Sequence, residues 1–304
     1  MVTKNCVDRG FSISRLVGSG SPCMVWPIAS PLMNLELQST PQRKEVGAPP
    51  ASMVHVGERL ADEFRIQVTS YNEEVNETLV YSAVLELPEF PDDRRIWIQV
   101  SGLHEAEEIG ALCKRFGIHP LVAEDILNTE GMPKSEDLNS YLFSRVKIPL
   151  GGYDFEVRQV SVILTRGVVI TFTEDNDSLF APLHRRLGVE GSRIRSKGSD
   201  YMAWAILDVI SDTSLAFIDR LEDSLGAIED QVLSGNHLPD LVEVHGTRRK
   251  VAQIYRIVRP FRDVANQFKH SESPLLSKEV SPFFSDLCDH GIQAVEFVEF
   301  LREH

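Results

Sequence analysis

The stretch SYLFSRVKIPLGGYDFEVRQVSVILTRGVVITFTE, residues 140 to 174, decides the fold class of this chain. It holds three runs rich in β-branched and aromatic residues, at 140–150, 155–164 and 167–174, and glycine-containing turns separate them. Runs of this composition and length predict three consecutive β-strands joined by short connections. The chain therefore contains a sheet with neighbouring strands that are close in sequence.

Helical patterns are interleaved with strands upstream and downstream of this stretch. Alternation of apolar and polar residues predicts two earlier strands at 64–71 and 95–100, and apolar spacing predicts helices at 105–117, 119–128 and 178–188. A mixed order of strands and helices is typical of an α/β or α+β fold, with a mixed sheet flanked by helices.

Beyond residue 198 the sequence predicts helices throughout. The first long pattern covers 199–233 and the second 241–269. A third begins near 277 and runs to His304, where no capping residue, glycine or proline ends it. We interpret that last pattern as a helix in a chain that was cut short. The first long helix is rich in acids and the second in bases, so antiparallel packing is expected to pair them, unless both are simply solvated faces.

Composition and charge narrow the functional class. The chain has 304 residues, enough for one large domain or two ordinary ones, and a net charge of −14. The negative charge argues against nucleic acid as a partner, since phosphate binding needs an excess of Lys and Arg, and it is compatible with binding cations. The sequence lacks 18 consecutive apolar residues, so the chain as given is expected to be soluble.

Residues 1–52 differ from the rest of the chain. They are rich in Gly, Ser and Pro and show no sustained periodicity, which predicts a disordered leader, with the folded protein beginning near Met53.

Motifs for catalysis or structural metal binding are missing from the sequence. HEAEE, residues 104–108, has only one of the two histidines of a metalloprotease helix, and no nucleophile elbow, kinase or dinucleotide fingerprint occurs. The four cysteines are far apart and form no CxxC pair, which argues against a structural zinc site and a disulfide framework. The chain is predicted not to be an enzyme, and a metal-dependent hydrolase is the least favoured alternative.

Two adjacent acids, Glu124 and Asp125, stand out in the otherwise apolar helix HPLVAEDILN, residues 119–128. Consecutive helix positions point about 100° apart, so the two acids cannot chelate one ion as a simple pair. Hard cations such as Mg2+ prefer carboxylate oxygen and keep several waters, so a wet site with ligands from separate segments would suit them. Spacing alone leaves the alternative open that Glu124 pairs locally and Asp125 faces solvent.

Seven segments in chain order resemble the cytoplasmic part of the CorA family of Mg2+ transport proteins. They are HPLVAEDILN (119–128), MPK (132–134), SYLF (140–143), RQVSVIL (158–164), SDYMAWAILDVISD (199–212), RPFRDV (259–264) and SPFFSDLCDHGIQ (281–293). The resemblance extends from about residue 55 to residue 304. The related ZntB group, associated with zinc, shares the architecture and is the near alternative.

The resemblance implies a subunit of a homopentamer on the cytoplasmic face of the cell membrane. It implies an αβα sandwich at 53–190, a long helical hairpin at 198–270 and the start of a stalk helix at 277–304. In the family the stalk continues into membrane spans with a Gly-Met-Asn motif, and this sequence contains neither. Contact with a membrane is therefore expected only through spans that this chain lacks.

The resemblance also implies regulatory cation sites between neighbouring subunits. The matching positions are Asp125 and Asp286 for a first site, and Glu124 and Asp208 for a second. The adjacent acids would then serve two adjacent ions, and Asp125 is expected to find its partner in another subunit. His290 is a minor neighbour of these sites, and a packing role is favoured for it.

The implied function is Mg2+ sensing, in which Mg2+ bridges acidic surfaces of adjacent subunits and favours the closed state of the transporter. Co2+ and Zn2+ are further candidate cations. Two alternatives remain open at this point: a ZntB-like zinc transporter domain, and a stand-alone soluble protein that binds cations and regulates another.

Overall fold

The computed structural model describes residues 49, 51–152, 155–175, 178–234 and 241–303. Nearly all of the predicted leader, 1–52, lies outside these residues. The described part contains seven strands: β1 Arg65–Tyr71, β2 Asn76–Tyr81, β3 Arg95–Ser101, β4 Lys134–Asp137, β5 Leu142–Leu150, β6 Glu156–Leu164 and β7 Val168–Thr173. It also contains seven α-helices: α1 Ala106–Arg115, α2 Pro120–Leu127, α3 Ala181–Gly188, α4 Arg193–Ser196, α5 Ser199–Ser234, α6 Leu241–Lys269 and α7 Ser281–Glu303.

The strands form one mixed sheet in the order β2-β1-β3-β7-β6-β5-β4. β3 and β7 are parallel, and every other neighbouring pair is antiparallel. The mixed sheet and its five predicted strands are confirmed, whereas the edge strands β2 and β4 were not predicted. β2, with sequence NETLVY, is exposed along nearly all of its length, and β4, with sequence KSED, is entirely polar, so neither shows the alternation of a half-buried strand.

Helices cover both faces of the sheet. On one face α1 and α2 pack Ile109 and Ile126 against Ile98 of β3. On the other face α3 and the first half of α5 pack Leu183 and Ile206 against strand residues of the same sheet. The predicted αβα sandwich is therefore confirmed, and α2 and α5 lie on opposite faces of the sheet.

Helix α5 contributes to two hydrophobic cores. Its residues 201–210 are buried against the sheet, whereas Phe217, Ile218 and Leu221 pack with α6 and α7 in a separate helical core. Its bounds agree within one residue with the pattern at 199–233. One continuous helix therefore joins the sandwich to the helical bundle.

Helix α7 begins later than predicted, at Ser281 instead of near residue 277. The backbone N–H of Ser277 donates to Asp200 Oδ2 at 2.9 Å, and Val280 N–H donates to Ser277 O at 3.2 Å, so this segment forms a turn against α5. Gly291 lets α7 approach α6 closely, because a Cβ at this position would lie 3.1 Å from the Cα of Arg262.

For two arginines of α6, the described contacts lie within α6 itself, in line with the alternative that the acidic and basic faces are solvated. Arg262 pairs with Asp263 of its own helix at 2.8 Å, and the Arg259 guanidinium lies 5.9 Å from the ring centre of Tyr255, also on α6. The physical reason is packing: α6 makes its most extensive helix contact with α7 instead of α5.

Within the described residues, one helix is long and apolar enough to cross a membrane, Ser199–Gln231. Of its most apolar window, 72% is buried inside the protein, where the sheet and the neighbouring helices cover it. Burial of this kind is typical of the core helix of a globular domain.

Candidate cation-binding site

Helix α2 presents the two adjacent acids at the surface because its other face is fully used in packing. His119 is the N-cap, and its Nδ1 accepts a hydrogen bond from Leu121 N–H at 3.2 Å, while Pro120 occupies the first turn. Four apolar residues of the helix are buried on the sheet: Val122, Ala123, Ile126 and Leu127. Glu124 and Asp125 are left half-buried on the outer side.

The Asp125 carboxylate has two cationic partners in its own chain. Its Oδ2 lies 2.5 Å from Lys134 Nζ, and its Oδ1 lies 3.2 Å from Arg145 Nη1. We expected Asp125 to find its partner in another subunit, and this is wrong for the ion pairs described, because β4 and β5 carry Lys134 and Arg145 to the C-terminal end of α2. That Asp125 shares a cation with Asp286 of a neighbouring subunit stays a prediction.

Arg145 is buried beneath the end of α2 and is only 5% exposed. Its guanidinium donates to Asp125 O at 2.8 Å and to Met132 O at 2.6 and 2.9 Å. Gly131 makes room for it, since a Cβ there would lie 2.5 Å from the guanidinium. Burial lowers the pKa of Arg145, and Asp125 opposes that shift. Arg145 therefore fastens α2 to the loop before β4.

Lys134 bridges two carboxylates. Its Nζ lies 2.8 Å from Glu136 Oε1 in addition to its contact with Asp125, and 5.7 Å from the ring centre of Phe143. Burial alone would lower the pKa of the ammonium, but its hydrogen bonds to Asp125 and Glu136 outweigh burial and raise it. The charged form of Lys134 is therefore stabilised by both acids together.

Glu124 also has a partner in its own chain. Its Oε2 accepts a hydrogen bond from the backbone N–H of Ala51 at 2.6 Å. Ala51 is 73 residues away in the sequence, so this contact ties α2 to the segment that precedes β1 and is tertiary, unlike the local pairing that spacing alone left open for Glu124.

A second group of ligand-type side chains gathers where α5 and α7 meet. One ligand atom from each of Asp208, Asp212 and His290 lies within 4.8 Å of the others. Asp286 is next to them, with its Oδ2 3.8 Å from His290 Nε2. The spacing of four residues on each helix places both members of each pair on one face, so the four residues form the α5–α7 cluster.

The α5–α7 cluster concentrates negative charge. The pKa of Asp208 is raised to about 6, first by burial and then by the carboxylate of Asp212, with Asp286 adding to the shift. His290 and Arg186 act in the opposite direction. His290 Nδ1 is buried and has no hydrogen-bond partner among the described residues. A carboxylate whose pKa is raised by burial and by neighbouring carboxylates is a favourable setting for a cation, which relieves the repulsion.

The four acids predicted from the sequence fall into two separate groups within one subunit. Glu124 and Asp125 lie on α2, and Asp208 and Asp286 lie in the α5–α7 cluster, with α2 and α5 on opposite faces of the sheet. Asp212 was missed and His290 was assigned a packing role. The signal that could have found them is the spacing of four residues from Asp208 and from Asp286 on predicted helices.

The family model described as CorA-like Mg2+ transporter protein matches residues 92–304. This chain belongs to the CorA family. The cobalt/magnesium transport protein CorA of Thermotoga maritima is 30% identical over 261 residues, which cover 84% of this chain and 74% of that relative. The membership expected from seven short segments is thus confirmed.

Two solved structures show the same CorA-family fold. The soluble domain of CorA from Methanocaldococcus jannaschii has a TM-score of 0.64 at 23% identity, covering 78% of this chain and 92% of that one. The ZntB cytoplasmic domain from Vibrio parahaemolyticus has a TM-score of 0.61 at 13% identity, covering 78% and 93%. At these identities the likeness concerns the fold, and it includes the ZntB relative that the sequence suggested.

Proposed function

We propose that this chain is the cytoplasmic, Mg2+-sensing part of a CorA-family transport protein for divalent cations. Mg2+ binds between subunits and favours the closed state. The observation that supports this most directly is the α5–α7 cluster, where Asp208, Asp212 and His290 converge beside Asp286. The name of the Thermotoga maritima relative, a cobalt/magnesium transport protein, points to the same class of cation.

The separation of the two acidic groups supports binding between subunits. Within one subunit Glu124 and Asp125 lie on the opposite face of the sheet from the α5–α7 cluster. In a ring, the α2 acids of one subunit would meet Asp208 and Asp286 of the next. A site assembled from two subunits exists only when they are together, so a cation that fills it stabilises the closed arrangement selectively.

Repulsion between the carboxylates of adjacent subunits gives the proposed protein an energetic reason to respond to the cation concentration. Without a cation, facing acidic surfaces repel. Inside a single subunit the carboxylate of Asp212 adds to the effect of burial, and together they raise the pKa of Asp208. A divalent cation neutralises the carboxylates, and its departure when its concentration falls allows the subunits to separate. The long α5 connects this surface to the helical bundle that contains α7.

The ligand atoms available, carboxylate oxygen and imidazole nitrogen, indicate which cations the site prefers. Carboxylate oxygen is the preferred ligand of Mg2+, whereas an imidazole nitrogen such as that of His290 also suits Co2+ and Zn2+. Mg2+ is therefore the first candidate, with Co2+ and Zn2+ as further ones. A zinc-type function like that of the ZntB group is the second candidate, and His290 is the residue that favours it.

The proposed protein works as a homo-oligomer, a pentamer in this family, at the cytoplasmic face of the cell membrane. Nucleic acid is not a proposed partner.

A stand-alone cation-binding regulator is the competing proposal. It differs in one measurable respect, because its cation response does not depend on assembly of several subunits.

Removal of the first-site acids tests the proposal. In the unmodified chain, Mg2+ at a hundredfold excess over its Kd should stabilise the folded assembly by about 2.7 kcal/mol per site and increase chemical cross-linking between subunits. Asp125→Asn combined with Asp286→Asn should abolish most of both effects. Thermal melting and cross-linking across a Mg2+ titration provide the readouts.

A charge-matched control uses two exposed acids of α5 away from the cluster. Asp219→Asn combined with Glu222→Gln removes the same amount of negative charge from exposed positions. This control should keep the Mg2+ response. If the Asp125 and Asp286 double variant shows the same Mg2+-dependent stabilisation and cross-linking as the parent, the assignment of these two acids as ligands is wrong.

A further inference from the structure

We propose that Lys134 is a built-in competitor for the cation at Asp125. Its ammonium neutralises the Asp125 carboxylate in the metal-free protein and transfers to Glu136 when a divalent cation binds. The inference rests on the proposed function, because it concerns the same carboxylate, and it adds a residue that sets the affinity and the selectivity of the site.

The geometry places Lys134 between its two partners. The Nζ atom lies 2.5 Å from Asp125 Oδ2 and 2.8 Å from Glu136 Oε1. All three side chains are partly exposed, at 31% for Lys134, 25% for Asp125 and 39% for Glu136. The ammonium can therefore leave Asp125 and keep a carboxylate partner that is already in contact with it.

Arg145 cannot take the same role. Its guanidinium is buried and is anchored by the backbone carbonyls of Asp125 and Met132 as well as by the Asp125 carboxylate. Its fixed fork holds those acceptors in place, whereas the lysine ammonium is a point charge on a flexible stem. Of the two cations at Asp125, Lys134 is the one that can move.

Electrostatics dictates the direction of the effect. A divalent cation at Asp125 repels the Lys134 ammonium, and this repulsion opposes binding as long as the ammonium stays close. Lys134 therefore weakens cation binding and places the response at a higher Mg2+ concentration than the acids alone would set. In the metal-free state it also reduces the repulsion between facing acidic surfaces.

The same competition favours divalent over monovalent cations. A carboxylate already neutralised by an ammonium gains little from exchanging it for K+ or Na+, since the charge is the same. Mg2+ brings twice the charge and replaces the ammonium with a net gain in attraction. Lys134 therefore shields the site from the monovalent salt of the solution.

Two substitutions with opposite expected signs test the proposal in the whole chain. Lys134→Met removes the charge and keeps an unbranched stem beside Phe143, and it should lower the Kd for Mg2+ by about tenfold, the size expected for one unit charge near a divalent ion in a wet site. Glu136→Gln takes away the second partner and should raise the Kd. Isothermal titration with MgCl2 at fixed ionic strength measures both.

The double variant identifies the mechanism. In the Lys134→Met background, Glu136→Gln should have little further effect, because there is no ammonium left to transfer. The Kd of the Lys134→Met chain should also rise more steeply with added KCl than that of the parent. Lys114→Met, which removes an exposed lysine of α1, should bind Mg2+ like the parent.

The outcomes separate this inference from the proposed function. If Asp125→Asn loses Mg2+ binding while Lys134→Met leaves the Kd unchanged or raises it, the competitor role is overturned and the site stands. If Asp125→Asn binds Mg2+ as the parent does, the site assignment falls and the inference falls with it. Lys134→Gln provides the same test should the Met variant not fold.

Discussion

Replacing Arg145 by Met is expected to destabilise the folded chain by about 3 kcal/mol. Met fills much of the volume but leaves the carbonyls of Asp125 and Met132 without the donor that now reaches them at 2.6 to 2.9 Å. These hydrogen bonds are part-buried, so solvent compensates only partly for acceptors that lose their donor. The link between α2 and the loop before β4 is lost at the same time.

Urea denaturation monitored by circular dichroism measures this effect. Arg115→Met is the matched control, because Arg115 also donates to two backbone carbonyls, those of Leu87 and Pro88, but its side chain is 26% exposed. Solvent can replace those hydrogen bonds, so the control should lose less than about 1 kcal/mol. If both variants lose the same free energy of unfolding, burial of the Arg145 guanidinium adds nothing to the strength of its hydrogen bonds.

Asp208→Asn is expected to have opposite effects with and without Mg2+. In metal-free buffer at pH 7 the variant should be more stable than the parent by about 1 kcal/mol, a value that allows for solvent screening of a partly exposed group. The reason is that Asn removes the charge that burial and Asp212 disfavour. With Mg2+ present the variant should lose much of the parent's added stability, since Asp208 is one of the proposed ligands.

The pH dependence of the metal-free proteins follows from the raised pKa. The pKa of Asp208 rises from 3.8 in its ordinary state to about 6 in the folded chain, so between these values the folded state holds a proton that the unfolded state has released. The contribution of Asp208 to stability is therefore greatest below about pH 4 and is lost as pH rises through about 6. The gap between Asp208→Asn and parent should close over that window as pH falls.

Melting curves from pH 4 to pH 8, each with and without MgCl2, check both effects. Asp219→Asn, an exposed acid of the same helix, should change neither the pH profile nor the Mg2+ response. A metal-free variant that is no more stable than the parent at pH 7 would contradict the electrostatic reading of the α5–α7 cluster.

The sequence predicted those parts of the fold in which one face of an element is apolar. β5, β6 and β7 are rich in β-branched and aromatic residues, and α5 has apolar residues at helical spacing, so all four were predicted close to their true bounds. β2 and β4 are edge strands held by backbone hydrogen bonds to one neighbour, and their side chains carry no burial signal.

The candidate site was only partly accessible from the sequence. Asp208 and Asp286 were reached through the family resemblance, and Asp212 and His290 could have been reached through helical spacing. The contacts of Asp125 with Lys134 and Arg145 depend on how two strands pass beneath α2. A single sequence contains no distance between such segments, so these contacts required the tertiary structure.

Because α5 runs as one helix from the sheet into the helical bundle, a tilt at its sheet end would displace its other end. Its first half is fixed in the sandwich core, and about 20 residues extend past that core, which at about 1.5 Å per residue is an arm of about 30 Å. A tilt of about 5° at the sheet then displaces the far end by about 3 Å, a distance comparable to half a turn of helix. A small rearrangement around Asp208 would in this way become a displacement of about 3 Å at the far end of α5.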